Sequence, residues 1–590
     1  MREYGVPAIS TVAPDESLTD MVWANAERFA DAVAFRRRVD GTWIDVTTRE
    51  FAAEVLAVAK GLIAAGVRPG DRVALMSRTR YEWTLVDFAV WAAGGVTVPV
   101  YETSSAEQVA WILADSGARA VVVEDDTHRR TVESVVDRLG EVVRIWQIEP
   151  GHDCAIEELT ALGADLPDED AHRRRRAVGS ADLATLVYTS GTTGRPKGVE
   201  LTHANLLAEI RADIAAFPHL LRPGNSMLVF LPLAHVFARA IALCCVYART
   251  TLGHLPDVKT LVADLSTFRP TFVVAVPRVF EKVYNSARQS ARAAGREQVF
   301  DIAEALAVEY SQAVDKGPVP LGLRIRHALA GRLVYSRLRA VLGGRCVAAI
   351  SGSAPLGEHL AHFFRGVGVP VYEGYGLTET AAAVCVNTQA AFRVGTVGRP
   401  VAGARVAIAE DGEILLRGPM VSAGYWRGDR TGEWFATGDL GDLDADGYLR
   451  ITGRKKELIV TAGGKNVAPA VLEDRVRRHP LVSQCLVVGD RRPFIAALVT
   501  LDPDFTTAWA AERGKSPDAL AEDAELRAEI QTAVDEANKA VSQAESIRAF
   551  VVLPRDFTEE AGEVTPSLKL RRDTILKTYG DTISAIYERR

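Results

Sequence analysis

Apolar residues recur along this chain at two periods, and the switches between them mark its elements. Residues 51–65 carry apolar side chains at helical spacing and stop at Gly66, which predicts an amphipathic helix ended by glycine. The run 72–76 is apolar throughout and reads as a buried strand; 120–123, 142–148 and 183–188 repeat that texture. Residues 265–276 resume the strand pattern before Pro277-Arg278. Strand and helix alternate from Ser17 to about Gly117, so crossovers and a mostly parallel sheet are expected. Residues 281–342 are rich in helix formers, with Leu306, Val308, Tyr310 and Val314 in apolar rhythm, and predict a long helical segment. After Arg454 the texture changes to a short helix at 471–476, apolar runs at 482–488 and 494–501, and a helix over about 518–542.

A chain of 590 residues exceeds what one hydrophobic core usually supports, so at least two domains are expected. Lys and Arg total 69 against 76 Asp and Glu, a net charge of −7, which argues against a protein that coats nucleic acid. The basic run 172–176 (HRRRR) could meet an anionic ligand but reads better as a solvated linker. Six cysteines, with no C-x-x-C pair, read as core fillers in a reducing compartment. The N-terminus has no apolar leader segment, and the longest apolar stretch, 88–100, is interrupted by Gly94, Gly95 and Pro99 and is too short to span a bilayer. Asp442, Asp444 and Asp446 mimic the start of a calcium loop, but its twelfth position is Gly453, where a bidentate Glu is needed; Asp446-Gly447 reads instead as a hairpin turn.

Chemistry concentrates in YTSGTTGRPKGV, residues 188–199, directly after the apolar run 183–188. Its three glycines let backbone N–H groups turn toward a ligand, its hydroxyls donate to anionic oxygens, and Arg195 and Lys197 neutralise charge. Such a loop suits a polyphosphate, although it lacks the G-x-x-x-x-G-K-[ST] order of the common NTPase loop. A merely flexible loop is the plainer alternative.

This segment closely resembles the phosphate-binding signature of the adenylate-forming enzymes, the superfamily of acyl-CoA synthetases, peptide-synthetase adenylation domains and luciferases. Further blocks occur in the family's order: PLAHVFAR (232–239), SGSAPL (351–356), YEGYGLTET (372–380), TGDLG (437–441), GYLRITGRKKELIV (447–460) and TPSLKLRR (565–572). The helical segment 281–342, with VPRVFEKVY before it and LVYSRLRAVLGGR closing it, resembles the long-chain fatty acyl-CoA synthetase branch. The resemblance implies an α/β fold. A large N-terminal domain of mostly parallel sheets flanked by helices, residues 1–453, would be followed by a small mobile α+β domain, 454–590, that carries the catalytic lysine.

The resemblance also assigns roles. Thr189, Ser190, Gly191, Thr192, Thr193, Gly194 and Lys197 would hold the phosphates of ATP. Glu379 would ligate Mg²⁺, with Thr378 beside it on the α-phosphate. Tyr375 would stack on adenine, with Gly376 next to it and Ser353 and Ala354 closing the other side. Asp439 would accept the ribose hydroxyls and Arg454 would bind ribose or phosphate. Lys569 would be the catalytic lysine of adenylation, although Leu568 stands where many relatives have glycine. His235, Gly352 and Gly374 would meet the acyl substrate; for His235, a hydrogen-bonded core histidine is the equal alternative. Lys456 matches the hinge, and Gly463 and Gly464 would face CoA after the small domain swings. Some long-chain relatives place an aromatic gate where this chain has Arg239, so gating is not carried over.

The implied reaction activates a carboxylate, whose oxide is too poor a leaving group, as a mixed anhydride with AMP. A CoA thiolate then takes the acyl group. The expectation is a cytoplasmic long-chain fatty acid–CoA ligase using ATP, Mg²⁺ and CoA, monomeric or homodimeric, with peripheral membrane contact for lipid delivery left open. A fatty acyl-AMP ligase serving a carrier protein, or a non-catalytic binder of fatty acid or nucleotide, would share most of these residues.

Overall fold

The computed structural model describes residues 2–137, 139, 142, 144–149, 154–189, 195–565 and 569–588, with the side chains of 517–519 excluded. Two largely parallel sheets form its centre. One has six strands, in the spatial order Arg144–Gln147, Ala118–Val123, Arg72–Met76, Val96–Val100, Leu183–Thr189 and Lys197–Thr202, antiparallel only at its last pair. The other has nine strands and is parallel through its middle, with antiparallel pairs toward both edges. Strands such as Val96–Val100 are buried at every residue, as parallel strands covered on both faces must be. The helix Tyr81–Ala92 is buried almost all round, and its Trp83, Phe88 and Trp91 share one core with Val73 and Leu75 of the first sheet and Val274 and Ile350 of the second. A hydrophobic circumference of that kind requires a helix to lie inside the molecule.

Three further sheets complete the described fold. Arg2–Gly5, Arg405–Ile408, Glu413–Arg417, Phe435–Leu443 and Leu449–Arg454 make an antiparallel five-stranded sheet. Its final hairpin turns at Asp446-Gly447, as read from the sequence. Gly447 sits at φ +84°, a Cβ there would meet the Tyr4 ring at 2.5 Å, and Asp444 and Asp446 are engaged by Arg393. Ile459–Val460 and Asn466–Val467 form a small ribbon, and Val482–Val488, Ile495–Leu501 and Ile547–Val552 form the C-terminal sheet around its own core.

Two readings of the sequence need correction. Residues 265–276 are not one strand: the helix Leu261–Phe268 ends at Arg269 with φ +57°, and only Phe272–Ala275 is extended. An apolar run that spans a helix end and a strand start gives no period of its own. The basic run is not a linker either, because Asp168–Arg176 is a helix with three acids in its first turn and four arginines in its last, the arrangement its macrodipole favours. Arg175 stacks on Trp23 at 4.3 Å and pairs with Asp20 at 3.0 Å, clasping the N-terminal helix. The helix expected over 518–542 is shorter, Ala524–Asn538, after a 3-10 segment Pro517–Glu522. Five of the six cysteines are buried and all are free. Among the described residues no helix is long and apolar enough to cross a membrane.

Arg239 shows why that position cannot act as a gate. Its guanidinium, 2% exposed, meets Asp87 through Nε at 2.8 Å and Nη2 at 2.6 Å, donates to Thr185 at 2.7 Å, and lies between the Trp83 and Trp91 rings. Removing one partner of a buried pair strands the other charge, at a cost of about 3–5 kcal/mol. Asp87→Ala should therefore lower unfolding stability by about that amount, while Asp87→Leu/Arg239→Met should recover most of the loss; urea denaturation of the three proteins measures it.

Candidate active site

Parallel strands of both central sheets end at one place, and the cleft lies there, as strand ends of open α/β sheets dictate. Tyr101 and Thr189 reach it from the six-stranded sheet; Val276, Gly352 and Leu377 reach it from the nine-stranded one. The cleft measures about 2860 Å³ and is closed by 455–459 and 569–574 of the C-terminal part.

The antiparallel register builds one end of the cleft. Asp439 and Arg454 are direct partners in the hairpin Phe435–Leu443/Leu449–Arg454, and the Arg454 Nε lies 2.9 Å from Asp439 Oδ1. The Tyr375 hydroxyl donates to Asp439 Oδ2 at 2.7 Å, and burial together with that carboxylate raises the phenol well above its ordinary pKa. Asp439 is 3% exposed, so two donors fix it while each oxygen keeps a second acceptor site. Across the cleft the 3-10 turn Thr378–Thr380 is tied by Thr380 Oγ1 to Leu377 and Ala382, and Ala381 follows it at φ +58°. That turn presents Thr378 and Glu379. Glu379 Oε1 accepts the Tyr425 hydroxyl at 2.7 Å, and the Lys197 ammonium sits 5.2 Å over the Tyr425 ring. Gly376 is required beside it, since a Cβ would stand 1.5 Å from the Ala382 carbonyl oxygen.

Thr189 and Lys197 are register partners in the hairpin that carries the glycine-rich loop, so its two ends are fixed at the cleft. Ser190, Gly191, Thr192, Thr193 and Gly194 lie outside the described residues. Ser353 and Ala354 line the cleft, with Ser353 at φ +72°, a left-handed conformation that a serine adopts at a cost in strain.

Lys569 enters from the C-terminal side. Val564 and Leu570 bridge, the Thr565 N–H donates to the Lys569 carbonyl at 2.8 Å, and Thr565 Oγ1 accepts from the Lys569 N–H at 3.0 Å, forming a closed turn. Arg572 moors the turn through the carboxylates of Glu473 and Glu457 and the Val487 carbonyl. Lys569 lines the cleft as a solvent-exposed residue; desolvation of its ammonium among the site's groups and then Arg454 lower its pKa, while Asp439 and Glu379 act the other way.

The apolar arm of the cleft contains Phe217, Val236, Phe237, Ile241 and Val386, with Gly352 and Gly374 bringing backbone against Phe237 and Val386. His235, half-buried, lies beside this arm. Its Nδ1 accepts from the Phe237 N–H at 3.2 Å, capping the helix Val236–Ala248, while the ring also lines the cleft. Burial, with Lys569 nearby, takes its pKa down to about 3, so the imidazole is neutral. Lys456 lines the cleft in the turn Lys455–Glu457. Gly463 and Gly464 do not: they sit on an exposed turn closed by Thr461 and Lys465.

Sequence reading missed Tyr425, Glu373, and the pair Glu209/Asp213. Tyr425 is 46 residues from its partner Glu379, and its only sequence signal is an aromatic pair, Tyr425-Trp426, in a glycine-rich stretch. Glu373 lines the cleft, accepts from the Leu356 N–H, and is pushed by burial up to about 7. Glu209 and Asp213 are one helical turn apart, which was visible, but nothing local showed that turn to face inward. Glu209 accepts the Ala383 N–H at 2.5 Å, Asp213 lines the apolar arm beside Cys244, and one oxygen of each is buried without a partner.

Residues 22–426 match the sequence profile of the AMP-binding enzymes, and 456–590 that of the AMP-binding enzyme C-terminal domain. A long-chain-fatty-acid–CoA ligase, FadD15, of Mycobacterium tuberculosis is 50% identical over the whole of both chains. A long-chain-fatty-acid–CoA ligase, ACSBG2, of Gallus gallus is 32% identical over 95% of this chain and 80% of its own. The fold is that of the adenylation domain of a carboxylic acid reductase from Segniliparus rugosus, solved with AMP and a co-purified carboxylic acid. The TM-score is 0.75 at 22% identity, covering 97% of this chain and 94% of that one.

Two outcomes follow from this geometry. Asp439→Ala should weaken binding of a non-hydrolysable ATP analogue about ten- to a hundredfold, the worth of hydrogen bonds to a buried charge. Titration calorimetry reads this, and unchanged affinity would remove Asp439 from the site. Burial raises the pKa of both Glu209 and Asp213, and the Asp213 carboxylate adds to the rise at Glu209. Their folded forms therefore hold protons that the unfolded chain releases. The stability this confers is complete below the ordinary carboxylate range and is lost as pH rises through the raised values. Glu209→Gln/Asp213→Asn should accordingly raise Tm more at pH 8 than at pH 5; an equal shift at both would show that the pair carries its charges.

Proposed function

Because the chain belongs to the AMP-binding enzymes, the adenylate-forming superfamily, we infer that it is an ATP-dependent long-chain-fatty-acid–CoA ligase. It uses ATP and CoA as co-substrates. In the first half-reaction a fatty-acid carboxylate oxygen attacks the α-phosphorus of ATP and pyrophosphate leaves, giving acyl-AMP. In the second, a CoA thiolate attacks the acyl carbon and AMP leaves.

The observation that carries this reading is that Lys569 lines one cleft with Asp439, Arg454, Glu379 and the neutral His235. We assign the Lys569 ammonium to bridge the acyl carboxylate and the α-phosphate, where negative charge gathers during in-line transfer. Asp439 takes the ribose hydroxyls, Tyr375 with Gly376 lies against adenine opposite Ser353 and Ala354, and Thr378 donates to the α-phosphate. The glycine-rich loop 189–194 and Lys197 hold the distal phosphates. A neutral His235 leaves no competing cation where the carboxylate must settle, and the apolar arm past Gly352 and Gly374 takes the alkyl chain.

Glu379 fits Mg²⁺. Tyr425 fixes the plane of its carboxylate, and a cation that takes most of its ligands from water and phosphate needs only one or two such groups. Among the described residues no cluster of three potential ligands forms a cage. Bound there with ATP, the ion supplies neutralisation of phosphate charge. We place a pivot at Lys456, between the domain that ends near residue 453 and the one that carries Lys569. Rotation about it would withdraw the lysine after adenylation and bring the Gly463–Gly464 turn to the CoA path.

The two half-reactions test this. Lys569→Ala should cut pyrophosphate release about a hundredfold or more, yet leave thioester formation from supplied acyl-AMP within a few-fold of the parent. Equal loss in both would refute the assignment.

A further inference from the structure

The helical elaboration has an outer face that the ligase chemistry does not use. Leu321–Ala330, a π turn Gly331–Tyr335 and Ser336–Val341 run on as one helical rod. Its inner face is seated firmly. Leu323 and Tyr335 are buried, the Tyr335 hydroxyl donates to the Ala303 carbonyl at 2.8 Å, His327 Nε2 donates to the Gly366 carbonyl at 2.6 Å, and the His327 ring stacks on Tyr310 at 3.7 Å. Arg339 secures the far end on the Val367 carbonyl at 2.8 Å.

The outer face is apolar where a soluble surface would be polar. Leu321, Ile325, Leu329 and Leu333, spaced by four, are 69%, 54%, 55% and 70% exposed. A four-residue step on an α-helix drifts by about 40° around its axis. The wider π turn holds more residues per turn and takes back part of that drift, so Leu333 stays with the stripe. Such turns mark functional places more often than structural accidents.

Charge identifies what covers the stripe. Between Asp315 and Glu358 the chain has seven Lys and Arg and no acid. Lys316, Arg324, Arg326, Arg332, Arg337 and Arg345 are exposed. The nearest acids on the preceding helix are engaged, Asp315 with Arg365 at 2.7 Å and Glu309 with Arg326 at 3.9 Å. In a two-fold contact this patch would meet the same patch of a second copy, cation facing cation. An anionic lipid bilayer satisfies both features at once, taking the leucines among its acyl chains and the arginines among its headgroups.

We propose that the rod 321–341 is a membrane-docking element, which lays the stripe Leu321, Ile325, Leu329 and Leu333 into the interface of an anionic bilayer. The rod's inner face is locked, so docking requires no refolding. This surface stands independently of the catalytic assignments above.

Vesicle flotation of the full-length protein, without ATP or CoA, tests it. The protein should float with vesicles of phosphatidylcholine mixed with phosphatidylglycerol, and far less with phosphatidylcholine alone. Leu329→Gln/Leu333→Gln should lower partition about tenfold or more with Tm and pyrophosphate release from detergent-dispersed acid unchanged. Arg324→Gln/Arg332→Gln/Arg337→Gln should abolish the preference for phosphatidylglycerol and its salt dependence. The proposal falls if the parent stays with the soluble fraction, or if the leucine variant floats as the parent does. It falls equally if sedimentation velocity shows a parent dimer that Leu329→Gln/Leu333→Gln dissociates, which would assign the face to a second copy.

Discussion

The carboxylate of Asp439 is the point at which the architecture becomes a site. It is almost wholly removed from water, and a buried charge of that kind must be paired and hydrogen-bonded to be tolerated. Its two partners come from different sheets: Tyr375 from the nine-stranded parallel sheet, and Arg454 from the hairpin neighbour in the antiparallel one. Satisfying this one group therefore sets the relative position of two sheets, and the cleft is the space between them. The same field reaches Lys569 from the third direction, where Arg454 opposes its charge and Asp439 favours it.

What was legible in the sequence was what is local. The glycine-rich segment 188–199, the Thr378-Glu379 pair and TGDLG are contiguous in sequence, so their residue types could be read without a fold. Contacts between distant residues were invisible. Glu473 and Arg572, which hold the lysine turn, stand 99 residues apart, and each alone reads as a surface charge. Arg239 could be seen to be no gate, but only the burial of Asp87 and Thr185 beside it shows the reason. The basic run 172–176 was misread because composition hid its helical order. Its meaning came from three acids one turn earlier and from Trp23 on another helix, a partner that no periodicity reveals. The antiparallel five-stranded sheet escaped because its strands are half-exposed and interrupted by turns, so the alternation in each is too short to stand out.

The contacts that seat the C-terminal part on the rest of the molecule differ in kind from those inside either part. Arg278 reaches Asp502 at 2.6 Å, and Arg292 meets Glu512 at 2.8 Å with both side chains about half exposed. Exposed pairs contribute little, about 0–1 kcal/mol each. The cores, by contrast, are separate: Leu472, Val487 and Val499 pack with one another and not with the central sheets. The hydrophobic clusters of the C-terminal part share no described residue with those of the central sheets, and the Arg278–Asp502 pair that crosses between the two parts is mostly buried while the Arg292–Glu512 pair is not. The contact of Arg572 with Glu473 that moors the Lys569 turn lies wholly within the C-terminal part. A swing would thus carry the lysine away intact instead of dismantling its turn.

The long helical elaboration follows the same logic of two unlike faces. Its inner side builds a second core of Phe280, Tyr284, Phe300, Tyr335, Phe363 and Phe364 against the nine-stranded sheet, and the helix Glu358–Val367 in that core begins at Gly357, a residue of the cleft wall. Burial on that scale would hold the elaboration in place whatever its outer residues were. The outer leucines therefore add nothing to folding and expose apolar surface that favours aggregation, a standing liability that stability alone does not explain. An exposed apolar stripe on a scaffold held rigid from within is what the proposed lipid interface needs, and the helix Glu358–Val367 links that scaffold to the cleft wall at Gly357.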